Sequence, residues 1–375
     1  MAGIYIHIPF CRQACNYCNF HFSTSLKLKG DLLLALHKEI ELQKDYLSGE
    51  TIETVYIGGG TPSLLSISDI QKLFDSILKN FKVDALKEFT LEANPDDLTK
   101  AYLQELRTTN INRFSIGVQS FRDEDLRYMN RAHNAQQADY AIKAAQDAGF
   151  TNLSIDLIYG VPGLSNKDWI NNLARIKELD IPHFSSYALT VEEGTALHHN
   201  IRTKKTAPVN AEQSAMQFDI LAEQADLMGY EQYEISNLAK PGHRAIHNTN
   251  YWLGKPYLGL GPSAHSFDGN TRRWNIANNA LYIKSLLLEN KLSYEEEILT
   301  KEQQLNEYIM TSLRTSWGCD LSHITTKWGS DYVTQIMKDA QQFIEQDKIL
   351  LKDNHLLLTL KGKLWADRIA GELFI

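Results

Sequence analysis

Short apolar runs alternate with stretches of helical periodicity along the first half of the chain. Six runs rich in β-branched and aromatic residues are predicted to be strands: Ile4–Phe10, Thr54–Gly58, Glu88–Glu92, Arg113–Val118, Asn152–Tyr159 and His183–Leu189. Four stretches between them carry apolar residues at helical spacing: Asp31–Leu47, Ser68–Asn80, Ala135–Ala148 and Lys167–Leu179. This alternation predicts a parallel sheet with right-handed crossover connections.

Polar and glycine residues gather at the carboxyl ends of the predicted strands. They are Gly59, Gly60, Thr61, Glu92, Asn94 and Gln119, with Asp156 inside the fifth strand. An open doubly wound sheet and a β/α barrel both fit the order of strands and helices. Because the chemistry of a barrel lies on the rim formed by the carboxyl ends of its strands, this clustering favours a partial (β/α) barrel.

The second half of the chain has a different character. A helix at Glu212–Met228 and a strand at Glu231–Ile235 precede an aromatic, glycine-rich segment that runs from His247 to Ser266. Further on, predicted helices are followed by a hairpin with an Asp-Asn turn, as in a winged-helix-like α+β module: Thr300–Thr315, Asp331–Gln346, Ile349–Lys352 and His355–Thr359. We therefore predict a barrel domain at 1–240, a connecting segment at 241–290 and a C-terminal module at 291–375.

Composition excludes several classes of protein. The 375 residues carry a net charge of −8, which argues against a general nucleic-acid binder. No run approaches the roughly 18 apolar residues of a membrane span, and the N-terminus lacks a secretory signal pattern. Only four cysteines are present and three are clustered, which favours a protein of the reducing cytoplasm over a disulfide scaffold.

The three clustered cysteines, Cys11, Cys15 and Cys18, directly follow the first predicted strand. Three thiolates can bind three irons of a [4Fe–4S] cluster and leave the fourth iron open. The alternative is a structural zinc site completed by His7 or His21. Structural zinc sites usually contain two separated cysteine pairs, and the sequence has no second pair.

The Cys-x3-Cys-x2-Cys spacing after a first strand resembles the radical S-adenosylmethionine (SAM) superfamily, over about the first two hundred residues. In that superfamily the open iron binds the amino and carboxylate groups of SAM, and an electron from the cluster cleaves the sulfonium. The resemblance implies that Tyr17 packs near the adenine and that the Gly58–Pro62 turn binds the methionyl amino group.

Several stretches resemble, more narrowly, the coproporphyrinogen dehydrogenase branch of this superfamily, and together they cover nearly the whole chain. They are Tyr5–Cys11, Gly58–Ser63, Ser115–Phe121, Asp156–Gly160 and Tyr187–Leu189. The resemblance implies SAM contacts at Tyr5, Gly59, Gly60, Thr61, Glu92, Gln119, Arg131, Asp156, Ile158 and Ala188. Arg131 could also meet a carboxylate through two parallel hydrogen bonds, unless it is simply a solvated residue at a helix end.

Two departures separate the chain from the dehydrogenases of this branch. Phe20 stands where they carry a further cysteine, and the cluster motif begins after only ten residues. Both features resemble the haem-chaperone group of the branch, as does the segment His247–Trp252. Tyr251, Trp252 and Tyr257 offer flat apolar surface, and His247 or His265 could supply an imidazole to iron. Either histidine alone is more simply explained by hydrogen bonding within a tight loop.

These observations lead to the hypothesis of a cytoplasmic haem chaperone. It would bind a [4Fe–4S] cluster, SAM and haem, receive electrons from a reductant and deliver haem to an acceptor haemoprotein. Whether it is also an enzyme stays open. The first alternative is an oxygen-independent coproporphyrinogen III dehydrogenase, and the second is a zinc-stabilised interaction protein.

Overall fold

Six parallel strands and the helices that connect them form the first half of the chain in a computed structural model that describes residues 1–375. The strands are β1 (Ala2–Ile8), β2 (Ile52–Gly59), β3 (Glu88–Ala93), β4 (Arg113–Gln119), β5 (Leu153–Tyr159) and β6 (His183–Ala188). The helices are α1 (Lys29–Leu42), α2 (Ile67–Asn80), α3 (Lys100–Leu106), α4 (Asp123–Tyr128), α5 (Ala135–Asp147) and α6 (Asn166–Glu178). The predicted partial β/α barrel is confirmed.

The middle of the chain extends this sheet at both edges. Its elements are α7 (Ala196–Arg202), α8 (Ala211–Leu227), β7 (Glu231–Glu234), β8 (Asn237–Ala239), α9 (Ile246–Trp252), β9 (Tyr257–Leu260), β10 (His265–Phe267), β11 (Thr271–Asn275), α10 (Asn279–Leu287) and β12 (Tyr294–Ile298). The twelve strands lie in the order β12-β11-β10-β9-β1-β2-β3-β4-β5-β6-β8-β7. The predicted connecting segment thus places β9 beside β1, where the two strands run parallel.

The C-terminal residues form a small module with its own apolar core. Its elements are α11 (Lys301–Leu313), β13 (Cys319–Asp320), α12 (Leu321–Lys327), α13 (Ser330–Glu345), β14 (Ile349–Lys352), β15 (His355–Leu358), α14 (Leu360–Lys363) and α15 (Ala366–Glu372). Its three strands are antiparallel in the order β13-β15-β14. Asp353 and Asn354 both have positive φ, as the predicted tight hairpin turn requires. The winged-helix-like arrangement is therefore present. No helix of the protein has the length and apolar character needed to cross a membrane.

Local sequence explains where these elements begin and end. Ser66 and Asn134 cap α2 and α5, and each forms a reciprocal capping box with the third helical residue. Gly149 follows α5 with φ +87°, a conformation that glycine adopts without steric cost, as predicted for a helix C-cap. The helix α1 ends at Leu42 rather than at Leu47. Leu47 is nevertheless buried, in the turns that follow the helix. Its helical spacing from the other apolar residues made the predicted helix too long.

Strand β1 ends at Ile8, two residues earlier than predicted. Pro9 lacks the N–H group that would continue the ladder, and Phe10 makes only an isolated bridge with Ser23. Six short strands were not predicted: β8 to β13. Each has five residues or fewer, which is too short for periodicity in the sequence to show.

Candidate functional site

The three clustered cysteines lie on the loop that leaves the carboxyl end of β1. The loop is tied to the rest of the rim, because the backbone N–H of Cys11 donates to the carbonyl of Ser23 at 3.0 Å and the side chain of Asn16 donates to the carbonyl of Tyr128 at 2.9 Å. All three thiols are free and half-buried. These contacts fix the cysteine loop at the barrel rim.

Arg131 links this loop to the strands. Its Nη1 lies 3.2 Å from the Cys15 sulfur, while Nη2 donates to the Asn94 side-chain oxygen at 2.7 Å and to the Gly117 carbonyl at 2.8 Å. Its Nε is buried without a partner. The interpretation of Arg131 as a solvated helix end is thus wrong, and the Nε N–H and one Nη1 N–H remain for the predicted carboxylate contact.

Burial and the guanidinium of Arg131 act in opposite directions on the cysteine thiols. Burial raises the pKa of the Cys11 thiol to about 11 and also raises the pKa of Cys18. The positive charge of Arg131 acts in the opposite direction on both thiols, and a hydrogen bond from Thr61 also lowers the pKa of Cys11. Thiolate rather than thiol is the metal ligand, so the guanidinium favours the form of the cysteines that binds iron.

The glycine turn after β2 approaches the cysteine loop closely. Gly59 has φ +114°, and a β-carbon at that position would meet the ring of His7 at 2.7 Å. At Gly60 a β-carbon would lie 2.6 Å from the backbone oxygen of Phe10 and 2.9 Å from the sulfur of Cys11. Only glycine fits such an approach. The adjacent Thr61, which is buried, accepts a hydrogen bond from Asn94 at 3.2 Å.

Two carboxylates face the interior of the barrel. Glu92 accepts the Tyr56 hydroxyl at 2.7 Å and the N–H of Gly59 at 2.9 Å. Burial raises the pKa of Glu92 to about 7, with a further contribution from the charge of Asp156. Burial likewise raises the pKa of Asp156 to about 6, against a hydrogen bond from Ser185. The predicted pair of acceptors is therefore brought together on one wall.

Gln119 occupies an unusual backbone position. It ends β4 with φ +68°, where the register between β4 and β5 shifts, and it is buried. Positive φ in a residue other than glycine costs energy and often marks a functional site. A β-carbon at Gly117 would meet the Gln119 amide nitrogen at 3.0 Å, so this side chain lies beside the strand end that Arg131 also contacts.

The remaining predicted SAM residues line the same end of the barrel. Ile158 and Ala188 stand near the carboxyl ends of the paired strands β5 and β6. Tyr5 lies on β1, where its hydroxyl is 3.0 Å from Nδ1 of His7. Tyr17 packs partly buried against the main core, and burial raises its pKa. Each of these positions stays a prediction as a ligand contact.

The segment from His247 to Trp252 is not at the rim where the cysteines lie. It forms the short helix α9, whose His247 has its Nδ1 2.8 Å from the Thr54 hydroxyl and its Nε2 2.7 Å from the Tyr251 hydroxyl. Both ring nitrogens are thus occupied, and burial lowers the pKa of His247 to about 3. Binding of haem iron by this histidine would require one of these hydrogen bonds to break. For His247 the structure favours the simpler interpretation of a hydrogen-bonded buried residue.

The aromatic neighbours of His247 are partly buried. Tyr251 packs edge-on against Tyr257 with ring centroids 4.6 Å apart. The Nε1 of Trp252 is buried without a partner, and the guanidinium of Arg314 lies 5.6 Å from the Trp252 ring. His265, by contrast, is exposed and stacks on Trp274. Of the two histidines considered for iron, only His265 reaches the surface.

The residues at the rim fit a cluster and SAM. The half-buried thiols, the unpartnered Nε of Arg131 and the buried carboxylates place iron ligands, a donor and acceptors at one end of the barrel. No group of three or more His, Cys, Asp or Glu residues is arranged to hold a single metal ion. In a cubane cluster, each thiolate binds a different iron atom, so the three sulfurs need not converge on one point.

Two residues of this interior were not singled out from the sequence. Tyr56 bonds directly to Glu92. Arg113 is 1% exposed, and its Nε and Nη1 have no partner, while Nη2 is 3.5 Å from Nδ1 of His183. The sequence did offer a signal: polar residues at every second position of an otherwise apolar strand, as in Arg113 and Ser115 of β4.

Comparison with known proteins agrees with this geometry. Residues 5–190 match the family model of the radical SAM superfamily, and residues 299–365 match that of the HemN C-terminal domain. The solved structure of coproporphyrinogen III oxidase (HemN) from Escherichia coli has a TM-score of 0.86, covers 100% of this chain and 90% of its own, and is 23% identical. That likeness establishes the fold, and membership of the superfamily implies a [4Fe–4S] cluster and SAM.

Curated relatives narrow the family further. The heme chaperone HemW of Bacillus subtilis is 33% identical, with 99% of this chain and 98% of the relative covered. The heme chaperone HemW of Mycobacterium tuberculosis is 32% identical, with coverage of 99% and 94%. A mitochondrial radical S-adenosyl methionine domain-containing protein 1 of Danio rerio is 32% identical, with coverage of 86% and 74%. The chain therefore belongs to the HemW haem chaperone family, within the radical SAM superfamily.

Proposed function

We propose that this protein is a haem chaperone that carries a [4Fe–4S] cluster and SAM, binds haem and passes it to an acceptor haemoprotein. The observation that carries this proposal is the identity with heme chaperones HemW along almost the entire chain. A local feature supports it. Phe20, which stands where the dehydrogenases of the branch have a further cysteine, is 69% exposed beside the cysteine loop. Phenylalanine cannot supply a thiol there.

The rim residues have separate tasks in this proposal. Cys11, Cys15 and Cys18 hold the cluster, and Arg131 offsets its negative charge. When bound, a cluster with an open iron can donate an electron to the sulfonium of SAM.

The polar groups of SAM are bound by hydrogen-bond acceptors and by backbone that can approach the ligand closely. Gly59, Gly60 and Thr61 give it access to backbone groups, and Glu92 accepts from the amino group. Asp156 accepts from ribose hydroxyls. Gln119 and Tyr5 supply further polar contacts, while Tyr17, Ile158 and Ala188 provide apolar surface for the adenine.

Haem binding is assigned to the segment around α9. Tyr251 and Trp252 contribute flat surface. Since both nitrogens of His247 are engaged, capture of haem by this residue requires α9 to move, whereas His265 is accessible without movement.

The proposal is tested by haem titration of the full chain after anaerobic reconstitution of the cluster. We expect a shifted Soret band that saturates near one haem per chain, followed by transfer of haem to an apo-haemoprotein. A variant with all three cluster cysteines changed to serine should lose the brown cluster absorbance, which shows whether haem binding depends on the cluster. Absence of any Soret shift in the reconstituted wild-type protein would contradict the proposal.

The alternative, an oxygen-independent coproporphyrinogen III dehydrogenase, rests on the shared fold and C-terminal module. The same reconstituted sample, supplied with coproporphyrinogen III, SAM and a reductant without oxygen, distinguishes the two functions. The chaperone proposal predicts no protoporphyrinogen IX. Turnover to that product would establish the enzyme instead.

A further inference from the structure

The helix α9 closes the end of the barrel opposite the cysteine loop. Glu88, the first residue of β3, accepts the backbone N–H groups of Ile246 at 2.7 Å and His247 at 3.1 Å. Asn250 donates to Glu53, near the start of β2, at 3.1 Å. A β-carbon on Gly3, at the start of β1, would meet the His247 ring at 3.1 Å. These contacts are all at the amino ends of the strands, so α9 forms the floor of the barrel.

The imidazole of His247 is held rigidly in that floor. Thr54 of β2 lies against its Nδ1 and Tyr251 against its Nε2, at 2.8 and 2.7 Å. A neutral imidazole has one N–H and one nitrogen lone pair, so one of the two hydroxyls donates a hydrogen bond to the ring and the other accepts one from it. Two such contacts fix the plane of the ring, which is buried.

A short series of contacts leads from His247 to the rim. The His247 ring packs against Tyr56 with centroids 5.2 Å apart and planes 30° from parallel. The Tyr56 hydroxyl donates to one oxygen of Glu92 at 2.7 Å, and the other oxygen accepts the N–H of Gly59 at 2.9 Å. Tyr56 is itself buried and therefore has little freedom to reorient. The position of the imidazole thus limits where the Glu92 carboxylate can point.

We propose that His247 is a positioning residue for the SAM site: it fixes Tyr56 and, through Tyr56, orients Glu92 toward the amino group of SAM. This inference rests on the proposed binding of SAM at the rim. It gives α9 a role that does not require His247 to contact haem. Partners that orient metal-binding side chains from behind change metal affinity or activity by roughly 10–100-fold when they are removed, and a residue behind Glu92 should act at the lower end of that range.

Affinity for SAM, measured on the anaerobically reconstituted full chain, tests this role. We expect His247→Ala to weaken SAM binding by roughly tenfold and to diminish the change that SAM causes in the electron paramagnetic resonance spectrum of the reduced cluster. Iron content should stay at the wild-type level. The variant His247→Gln, which keeps a donor and an acceptor, should recover part of the affinity.

A double-mutant cycle shows whether His247 acts through Tyr56. Tyr56→Phe should weaken SAM binding as His247→Ala does, and the double variant should be no weaker than the weaker single variant, because both changes interrupt one series of contacts. Tyr230→Phe is the matched control, since the buried Tyr230 hydroxyl donates to the carbonyl of Ile181, in the turn before β6, and its loss should leave SAM affinity unchanged.

The outcomes separate this inference from the proposed function. If His247→Ala fails to fold, the comparison of Tyr56→Phe with Tyr230→Phe decides, and equal SAM affinity of those two variants overturns the positioning role. Wild-type affinity in His247→Ala, or effects that multiply in the double variant, also overturns it. Failure of the wild-type protein to bind SAM would overturn the positioning role and the proposed SAM site together, while haem titration reports on the chaperone function independently.

Discussion

At the scale of single residues, the site is governed by how far each polar group is removed from water. Glu92 and Asp156 lie on β3 and β5, either side of β4, and burial raises the pKa of Glu92 to about 7 and that of Asp156 to about 6. The buried guanidinium of Arg113 lowers both pKa values and keeps the carboxylates partly ionised. In the absence of SAM, the combined charge of Glu92 and Asp156 therefore changes near neutral pH.

We predict that SAM affinity falls as the pH is lowered from 8 to 6. The raised pKa of Glu92 means that it becomes protonated in this range, and a protonated carboxyl is a poorer acceptor for an amino group. Well below the pKa, the loss should approach about tenfold per pH unit. Glu92→Gln, measured at the same pH values, removes the titration of Glu92 but not that of SAM. Parallel pH profiles for the two proteins would contradict the prediction.

Gly60 gives a second prediction at this scale. In Gly60→Ala the added carbon would lie 2.6 Å from the Phe10 backbone oxygen, which cannot move aside as a flexible side chain would. Overpacking of this kind costs about 1–3 kcal/mol, and here it pushes the Cys11 loop away from the turn. We expect iron and sulfide per chain to fall after reconstitution. Gly30→Ala is the control, because nothing lies within 4 Å of its added carbon.

At the scale of elements, strands β1 to β6 carry two patterns at once. One face is apolar and packs on the helices, as the pattern predicts. The alternate residues, which line the barrel, are mostly polar or glycine. The strand–helix order and the rim residues could be predicted because each depends on local sequence. The position of α9 could not, since Glu88, Glu53 and Thr54, which hold it, lie at least 158 residues away along the chain.

At the scale of the whole molecule, the barrel and the C-terminal module have separate apolar cores joined by polar contacts. Arg314, which follows α11, donates through Nε to Glu234 of β7 at 3.2 Å and through Nη1 to Asp367 of α15 at 2.9 Å. Glu234 is 1% exposed, so its charge depends on this partner and on two neighbouring N–H donors. The interface between the barrel and the C-terminal module therefore includes a buried ion pair as well as apolar contacts.

We predict that Arg314→Met weakens the interface between the barrel and the C-terminal module. Loss of one partner of a buried charged group costs about 1–3 kcal/mol, and urea unfolding should then separate into two transitions. The exposed pair Arg368–Glu372 provides the control, since exposed ion pairs contribute little and Arg368→Met should unfold like the wild type. A single unshifted transition in Arg314→Met would contradict the prediction.

The sequence by itself determined the parallel strand–helix order, the cysteine loop and the rim residues Gly59, Gly60 and Glu92, because strand ends and turns are local features. Only the tertiary structure decided what the His247–Trp252 segment does in the fold. The resemblance of this segment to the haem-chaperone group suggested a surface for haem, whereas long-range hydrogen bonds from β2 and β3 hold His247 in the barrel floor. The same packing brings Tyr56 and Arg113 beneath Glu92, and no local pattern could reveal that neighbourhood.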